Sequence, residues 1–529
     1  MATTTQSVWS RSAPPGATKA DPFRLNTAAR LLKPSFADCF FIALLAWLFV
    51  CGASGWKALL ADGDTGWHIR TGQYILAHHS VPTRDLFSFS KPNAAWFAWE
   101  WLSDVGLAVL FKLGGLKAIV LCAGTLVAVY ATILLRFSLW LGSNALVAAM
   151  LTLVAVGASS MHFLARPHLV TLILLPSCLW LLEIDTRKKT RWLWVLIPVS
   201  ALWTNMHGGV FMFFACLGLV AAGSAIEAWL GRKRWQLFYR QCVVLVGCSL
   251  ASLANPYGIG LHIHVFQYLQ SDWIKNLIQE FQAPTFRSEG QLQFEGLLLV
   301  GLMATGLLFR SRRVSEGLCV LFLAHSSLIS VRHAPLFAAV AAPLIGREFS
   351  AWWRTWAANS KKKSVVRILE QLGQDITPGF RRNTIWPAVV VIALAAIGAP
   401  VKWPSDFPSE TFPIGIVHEN AALFHSGRLL TTDQWGDYII YCCYPEVKVF
   451  VDGRSDFYGE DVGKDYLHLL QGADDWRAIS DHYQFHLALL PVEWPLAAAL
   501  KRDPAWRVVA DDHRAVLMVH LGPQVKETK

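Results

Sequence analysis

Long apolar runs, separated by short polar or basic stretches, make up most of this chain of 529 residues. A helix needs about 20 residues to cross a bilayer, so each run is of spanning or near-spanning length. The pattern predicts a polytopic α-helical membrane protein with about 11–13 transmembrane helices. The runs cover residues 36–57, 116–136, 143–160, 168–185, 192–206, 208–229, 241–254, 294–309, 316–331, 335–349 and 385–400.

The pattern changes near residue 402, where prolines mark a linker and the apolar runs shorten to strand length. Helix-like stretches at Val462–Leu470, Asp475–Tyr483 and Pro495–Leu500 lie between or beside these runs. The alternation predicts a soluble C-terminal α/β domain over residues 402–529. The predicted strands are Leu429–Thr432, Tyr438–Tyr441, Val447–Val451, Phe485–Pro491, Arg507–Ala510 and Ala515–Val519.

Basic connecting stretches predict the topology, because such loops stay in the cytoplasm. If the basic tail over residues 1–35 is cytoplasmic, the other basic stretches also fall on the cytoplasmic side, provided that segment 99–112 does not complete a crossing. We then expect a transmembrane domain over 36–400, with a first external loop at 58–115 and a later one at 255–293. The C-terminal domain would be extracytoplasmic, on an integral, multi-pass protein of the plasma (inner) membrane. The basic stretches are 187–191, 232–234, 310–313 and 361–382, the last predicted to be an amphipathic helix on the inner leaflet.

Composition agrees with a membrane protein, since 54% of the residues are hydrophobic and only 16% are charged. The net charge of +10 reflects the basic loops, so no nucleic-acid partner is predicted. The cysteines form no CxxC zinc pattern, and the C-terminal domain has no GxGxxG fingerprint.

Candidate chemistry begins directly after the first apolar run, at Asp62, Asp64, His68 and Arg70. Ionisable groups at a membrane boundary are costly unless they are partnered or hydrated, so they indicate a site. A solvated loop with interfacial anchors explains them equally well. The predicted topology collects one set of polar residues at the outer face: Asp64, His68, His162, Arg166, His168, Asn205, His207, Glu280, Arg332 and His333.

The order Asp64-Thr-Gly-Trp-His-Ile-Arg70 resembles the GT-C superfamily of membrane glycosyltransferases, most closely the oligosaccharyltransferase catalytic subunits. Those subunits carry an aspartate just after their first helix, followed by an aromatic, a polar residue and an arginine. Ile278–Pro284 is similar to the external-loop segment whose glutamate helps to anchor the acceptor and metal region. Ser330–His333 resembles the segment whose arginine meets the lipid pyrophosphate. Gln434–Tyr438 resembles the Trp-Trp-Asp motif that reads an acceptor peptide.

The resemblance implies a GT-C-like fold and a set of site residues. These are Asp64 and Glu280 as catalytic residues, Arg332, Arg166 and His333 at the donor phosphate, His68, Arg70, Trp435 and Asp437 at the acceptor, and Asp64, Asp62 and Glu280 around Mg²⁺ or Mn²⁺. Two departures stand against it. Met161–His168 contains no carboxylate where the family has acidic metal ligands, and the Trp-Trp-Asp motif is reordered.

Two of these segments also have plain structural interpretations. Arg166-Pro167-His168 equally fits the end of one helix and the start of the next, because proline suits an early helical position. Asp452–Asp456 is predicted to be a turn after a buried strand.

The resulting hypothesis is a membrane glycosyltransferase. It would transfer a sugar from a polyprenyl-phosphate- or pyrophosphate-linked donor to a glycan, lipid or protein acceptor at the outer face of the bilayer. Asp64 would be the general base, and Arg332 would stabilise the leaving phosphate, because a guanidinium matches phosphate oxygens. Direct displacement would invert the anomeric centre. Two alternatives remain open: a non-enzymatic lipid or polysaccharide export component, and an O-antigen-ligase-like transferase that relies on Arg and His.

Overall fold

The computed structural model describes residues 31–51, 55–231, 234–396 and 402–522. Parts of the predictions lie outside the described residues: the tail 1–35 as far as residue 30, Arg232 and Lys233 of one basic loop, the end of the run 385–400, and residues 523–529 of the C-terminal domain.

Helices form most of the described chain before residue 397. In chain order they are α1 (Phe36–Ala46), α2 (Asp64–His78), α3 (Trp101–Leu141), α4 (Ala145–Ser159), α5 (Leu169–Arg187), α6 (Leu196–Thr204), α7 (Val210–Trp229), α8 (Trp235–Ala251), α9 (Ile259–Gln270), α10 (Asp272–Leu277), α11 (Glu289–Arg310), α12 (Val314–Ile329), α13 (Ala334–Asn359), α14 (Val365–Phe380) and α15 (Trp386–Ala396). Short 3₁₀ turns lie at Gly55–Leu60, Ser160–His162, Arg191–Val195, Gln279–Phe281 and Val331–His333, and a π-helical turn at Trp47–Cys51.

Among the described residues, five helical stretches are long and apolar enough to cross a membrane: α3, Ala145–His162, α5, α7 and α11. Shorter apolar helices occupy Phe36–Val50, Val314–Ile329 and Trp386–Ala396. The prediction of an integral, multi-pass membrane protein is therefore confirmed. Fewer full-length spans than apolar runs are present in the described residues because some runs form short helices, such as the 9 residues of α6.

The ambiguous segment 99–112 forms the first leg of α3. Gly114 and Gly115 break the helix there, and Gly115 has a φ of 61°, which favours glycine. This leg packs closely against α2, because a Cβ on Gly72 would lie 1.9 Å from the backbone oxygen of Asp104. The kink thus separates a leg that lies beside α2 from the apolar leg over residues 116–141.

Helix α14 fills most of the basic stretch for which an amphipathic helix was predicted. Its apolar residues Val365, Ile368 and Leu372 are exposed. Its inner side buries Glu370, whose carboxylate accepts a 2.7 Å hydrogen bond from Asn144 Nδ2. The amphipathic pattern is therefore present: these three apolar residues are exposed, whereas Ile376 and Phe380 near the end of the helix pack against the helical core.

The C-terminal part is a small α/β domain, as predicted. Its helices are α16 (Ile414–Glu419), α17 (Ala421–Phe424), α18 (Asp433–Cys443), α19 (Ser455–Gln471), α20 (Trp476–Tyr483) and α21 (Pro495–Arg502). Its strands are β1 (Arg428–Thr431), β2 (Phe485–Pro491), β3 (Trp506–Asp511) and β4 (Ala515–His520), in the sheet order β1-β2-β4-β3. The β1–β2 pair is parallel and the other two pairs are antiparallel.

Two predicted strands are wrong. Tyr438–Tyr441 lies inside helix α18, because Thr432 caps that helix with a 3.1 Å bond from Trp435 N to its hydroxyl. Val447–Val451 forms only isolated bridges, in which Val449 pairs with Leu429 of β1 and with Ser88. This second bridge joins the C-terminal domain to the loop that follows α2.

The C-terminal domain is docked on the first predicted external loop by further hydrogen bonds. Arg70 Nε donates to the backbone oxygen of Tyr441 at 2.8 Å, and Gly63 N donates to Gln434 Oε1 at 2.8 Å. A Cβ on Gly63 would lie 2.4 Å from the backbone oxygen of Gln434, so the N-terminus of α2 meets α18 without room for a side chain. This contact forms one wall of the candidate site.

Candidate active site

A cavity of about 210 Å³ lies between the helical domain and the C-terminal domain. It is bounded by the start of α2, the α4–α5, α6–α7 and α12–α13 connections, the Gln279–Phe281 turn and the turn Gly453–Asp456. The structure brings eight of the ten predicted outer-face residues to its lining: Asp64, His162, Arg166, His168, His207, Glu280, Arg332 and His333. The expectation that distant polar residues gather in one place agrees with this geometry.

The centre of the cavity wall is an ion cluster around Arg166. One terminal nitrogen, Nη1, lies 2.7 Å from Asp62 Oδ2 and 3.8 Å from Glu280 Oε1. The other, Nη2, lies 2.6 Å from Asp64 Oδ2. Burial alone would lower the pKa of Arg166, but Asp62 and Asp64 raise it well above its usual value. The guanidinium is thus committed to these carboxylates, which does not fit its predicted role as a donor-phosphate ligand.

The chain places these groups through tight local contacts. Asp62 Oδ1 accepts the backbone N–H of Asp64 at 2.8 Å, so that α2 begins with a carboxylate in its first turn, where the helix dipole favours negative charge. On the opposite side, Ala165 N donates to the backbone oxygen of Leu59 at 2.7 Å. The oxygen of Ala165 accepts from the Thr65 hydroxyl at 3.1 Å. Arg166 is therefore held beside the helix that carries Asp64.

The second oxygen of Asp64 faces Asp437 of α18. Asp64 Oδ1 and Asp437 Oδ2 are both buried without a hydrogen-bond partner in the described residues, and they lie 1.9 and 2.9 Å from where a Cβ of Gly453 would be. Two carboxyl groups that face each other in this way can hydrogen-bond only by sharing a proton. Burial, then the charge of Asp64, raise the pKa of Asp437 well above its usual value. Asp437 Oδ1 accepts the backbone N–H of Gly453 at 2.9 Å. We therefore assign the shared proton to Asp437, with Asp64 as the acceptor.

The two catalytic carboxylates of the hypothesis differ in their electrostatic environment. Burial raises the pKa of Asp64 to about 7, although Arg166 opposes the shift. Burial would also raise the pKa of Glu280, but Arg166, His162 and Arg332 lower it to about 2. Asp64 is thus the carboxylate that can exchange a proton near neutral pH, and Glu280 stays ionised.

Arg332 supplies the free cation of the site. Its guanidinium lies 4.4 Å from the centre of the Phe281 ring, and Tyr268 lines the same cavity. Within the described residues no carboxylate lies at ion-pair distance from it. Its segment is tied to that of Glu280, because Ser330 Oγ donates to the backbone oxygen of Glu280 at 2.8 Å.

His333 lies next to Arg332 and lines the same cavity. Its Nδ1 lies 3.2 Å from the backbone oxygen of Ser326, to which it donates. Burial, then the charge of Arg332, lower the pKa of His333 to about 4. A neutral imidazole thus lies beside a guanidinium at the cavity wall, and the role of the two residues at a donor phosphate stays a prediction.

Glu100 is a cavity residue that the sequence hypothesis missed. It lies in the tryptophan-rich stretch 96–101 of the predicted first external loop. Its two oxygens lie 3.7 Å from His68 Nε2 and 3.6 Å from His207 Nε2. Burial raises its pKa to about 8. A glutamate among tryptophans at a predicted membrane boundary was the available signal.

The residues expected to bind the acceptor are distributed differently. His68 is fully buried and its Nδ1 lies 2.6 Å from Asp104 Oδ1. Arg70 contacts Tyr441, and Trp435 Nε1 donates to the backbone oxygen of Thr411 at 3.0 Å. Arg70, Trp435 and Asp437 are absent from the cavity lining among the described residues. Arg70 connects the two domains, whereas Trp435 and Asp437 make their hydrogen bonds inside the C-terminal domain, so the geometry does not support direct acceptor binding by these side chains.

The carboxylates proposed for Mg²⁺ or Mn²⁺ do not fit a divalent ion. Asp62 and Asp64 both direct an oxygen at Arg166. The other oxygen of Asp62 accepts the Asp64 N–H, and the other oxygen of Asp64 is buried beside the carboxyl group of Asp437. No cluster of three or more His, Cys, Asp or Glu in the described part of the chain is arranged to hold a metal ion. The predicted metal set is therefore a guanidinium–carboxylate cluster in this structure.

Fold and site together define the class: a polytopic membrane protein with a C-terminal α/β domain and a polar cavity between the two parts. The chain is similar to the archaeal oligosaccharyltransferase AglB from Archaeoglobus fulgidus, solved in complex with an inhibitory peptide and a dolichol-phosphate. The TM-score is 0.56 at 10% identity, over 91% of this chain and 73% of that one.

A second structure of the Archaeoglobus fulgidus oligosaccharyltransferase, tethered to an acceptor peptide containing the NVT sequon, gives a TM-score of 0.54 at 9% identity. That alignment covers 89% of this chain and 70% of that one. No protein-family model and no curated relative matches the sequence. The predicted GT-C-like fold is confirmed by these structures.

Proposed function

We propose that this protein is a membrane glycosyltransferase that takes a sugar from a polyprenyl-phosphate- or pyrophosphate-linked donor. The observation that carries the proposal is the cavity that joins Asp64, with its pKa near neutrality, to the free guanidinium of Arg332. The similarity to structures of oligosaccharyltransferases, one of them bound to a dolichol-phosphate, supports a lipid-linked donor.

In the proposed reaction, the acceptor attacks the anomeric carbon of the sugar. The bond between that carbon and the phosphate oxygen breaks, and its electron pair leaves with the phosphate. Asp64 accepts the proton of the nucleophile, while Arg332 and His333 stabilise the charge on the leaving phosphate. Glu280 positions Arg166 and Arg332 through its negative charge rather than taking a proton. This direct displacement inverts the configuration at the anomeric carbon.

Glu100 gives the cavity a further polar wall. Its carboxyl group lies between His68 and His207 and faces the same space as Asp64. The aromatic side chains of Trp67, Trp96 and Trp99 line the cavity beside it. Aromatic faces combined with a hydrogen-bonding carboxyl group suit a sugar ring, which presents both C–H and O–H groups.

The proposal includes the sidedness expected from the basic loops. The N-terminus would be cytoplasmic, and the cavity and the C-terminal domain would face the extracytoplasmic side. Reporter fusions at residue 522 and within the 187–191 loop test this topology. The reporter should be active outside the cytoplasm only in the first fusion, and the reverse pattern would contradict the proposal.

The test of function uses the full chain in detergent or nanodiscs, with polyprenyl-phosphate and polyprenyl-pyrophosphate sugars and short hydroxyl- or amide-bearing acceptors. Asp64→Asn should lower transfer by about 10²–10⁴-fold, because general-base catalysis is lost. Arg332→Ala should weaken donor binding, and the exposed control Asp461→Asn should match the wild type. Product mass and anomeric configuration are measured.

Two outcomes would favour the alternatives. No transfer from any donor, with the variants equally competent in lipid or polysaccharide export, would favour an export component. Full activity of Asp64→Asn with loss in Arg332→Ala and His333→Ala would favour an O-antigen-ligase-like transferase, which the four cavity histidines at 162, 168, 207 and 333 suit.

A further inference from the structure

The acidic cluster of the cavity has its cation built into the chain. Three carboxylates, from Asp62, Asp64 and Glu280, converge on the two terminal nitrogens of Arg166 at 2.7, 2.6 and 3.8 Å. A guanidinium presents its donors in a planar fork, so two aspartates can each occupy one terminal nitrogen. The geometry is that of a mutual ion cluster.

Three of the four carboxylate oxygens of the two aspartates have a partner. Asp62 gives Oδ2 to Arg166 and Oδ1 to the backbone N–H of Asp64. Asp64 gives Oδ2 to Arg166, and its Oδ1 faces Asp437. Asp64 Oδ1 and Asp437 Oδ2 are buried and have no hydrogen-bond partner in the described residues. Of the oxygens of Asp62 and Asp64, only Asp64 Oδ1 is left without a partner, and a divalent ion such as Mg²⁺ or Mn²⁺ requires several oxygen ligands.

Arg166 is also fixed in place. Both backbone groups of the preceding Ala165 are hydrogen-bonded, one to Leu59 and the other to Thr65, and Pro167 follows directly. Its side chain is only 24% exposed. A divalent ion at about 2 Å from the same carboxylates would have to displace this guanidinium or lie against it, and two like charges at that separation repel strongly.

We propose that the Arg166 guanidinium is the resident cation of the Asp62–Asp64–Glu280 cluster, and that sugar transfer at this site needs no divalent metal ion. The inference rests on the proposed function for its catalytic part. Its binding part stands alone: the wild-type cluster has no divalent-cation site, and removal of the guanidinium creates one. Arg166 acts as a positioning residue, since it orients Asp64 towards the cavity.

The binding experiment uses Mn²⁺ alone, with the full-length protein and detection by electron paramagnetic resonance. The wild type should show no saturable Mn²⁺ site. Arg166→Gln, which removes the charge at similar length, should gain one that is at least about tenfold tighter than any wild-type binding, because affinity for a hard cation follows the net ligand charge. Arg166→Lys keeps the charge and should gain none.

The matched control is Arg136→Ala, which removes an arginine that instead contacts Asn383 and the backbone of Arg382, outside the cluster. It should behave like the wild type. Folding of each variant is checked by size exclusion and thermal unfolding, and Arg166→Ala replaces Arg166→Gln if the latter does not fold. Saturable Mn²⁺ binding by the wild type that Asp62→Asn abolishes would overturn the inference, as would a folded Arg166→Gln that gains no site.

The catalytic part is tested by chelation. Wild-type transfer should change less than about twofold after treatment with EDTA and should not increase with added Mg²⁺ or Mn²⁺, since the charge is already supplied. Loss of transfer in EDTA that Mn²⁺ restores would overturn the inference and leave the glycosyltransferase proposal intact. Absence of transfer under every condition would contradict the proposed function, whereas the Mn²⁺ titration would still decide the guanidinium assignment.

Discussion

Arg454 of the C-terminal domain and Asp85 of the loop after α2 form a buried ion pair, with Nη2 2.9 Å from Oδ1 and both side chains at most 1% exposed. Asp452 completes the cluster at 2.7 Å, and the guanidinium lies 4.5 Å from the centre of the Trp96 ring. This pair fixes the turn that carries Gly453, which in turn touches Asp64. The contacts that dock the C-terminal domain therefore also position the residues of the candidate site.

The pair predicts the stability of the docked state. Arg454→Met should lower the free energy of unfolding by about 3–5 kcal/mol, because Asp85 and Asp452 would be left as uncompensated buried charges. Thermal or denaturant unfolding in detergent measures the effect. The control Lys501→Met breaks the more exposed pair with Asp511, and should change stability by less than about 1 kcal/mol. Equal effects of the two substitutions would contradict the role assigned to Arg454.

Gly453 predicts how closely the C-terminal domain must approach the catalytic carboxylate. A Cβ at this position would lie 1.9 Å from Asp64 Oδ1 and 2.9 Å from Asp437 Oδ2. Gly453→Ala should therefore displace Asp64 and lower transfer by about 10²-fold, because a misplacement of about 1 Å is enough for such a loss. The cost in stability should be about 1–3 kcal/mol.

The matched control for that substitution is Gly415→Ala, since a Cβ on Gly415 meets no atom within 4 Å. It should leave both the transfer rate and the unfolding midpoint unchanged. If Gly453→Ala were as active as Gly415→Ala, the close approach of the turn to Asp64 would have no part in the reaction.

The cavity residues could be predicted from the sequence because they share one property: each is a polar or charged side chain next to an apolar run. Charged side chains are costly at a membrane boundary, so Asp64, Glu280 and Arg332 could be expected to meet once the basic loops had assigned them to one face. The sequence could not predict which of these side chains pair with each other, because the partners are separated by 100 or more residues and only the folded structure gives the distances between them. Arg166 illustrates the difference. An arginine can bind either a phosphate or a cluster of carboxylates, and only the short distance from Arg166 to Asp64 in the structure shows that it pairs with carboxylates.

Errors in the C-terminal domain have a similar cause. Tyr438–Tyr441 is rich in β-favouring residues, and the capping bond of Thr432 and the packing of Tyr438 against Phe407 and Phe412 override that local preference.

Glu100 was missed because its partners, His68 and His207, lie in other segments. Burial by remote segments is a tertiary property that a local pattern does not contain.

Glu100 predicts a pH dependence of stability. Its pKa rises from 4.5 to about 8 on burial, so the folded protein binds more protons than the unfolded chain between these values. The stability contribution is present below about pH 4.5 and is lost as the pH rises through 8. Glu100→Gln mimics the neutral form. Its melting temperature should equal that of the wild type in acid and exceed it increasingly towards pH 8.

The measurement is a set of thermal unfolding curves from mildly acidic to mildly basic pH, with Glu460→Gln as an exposed control on α19. The difference between Glu100→Gln and wild type should grow with pH, and the difference for Glu460→Gln should stay constant. A Glu100→Gln difference that shrinks with rising pH would show that the carboxyl group is ionised in the folded state.

The proton between Asp64 and Asp437 predicts an asymmetry in two otherwise identical substitutions. If Asp437 holds the proton, Asp437→Asn keeps the arrangement, because the amide N–H donates to Asp64 and the amide oxygen still accepts from Gly453 N. This variant should keep most of the wild-type transfer rate, whereas Asp64→Asn should lose about 10²–10⁴-fold. Asp437→Ala, which leaves Gly453 N–H unpaired, should fall between them. Transfer rates at saturating donor decide the matter: an active Asp64→Asn beside an inactive Asp437→Asn would assign the proton to Asp64 and the role of base to Asp437.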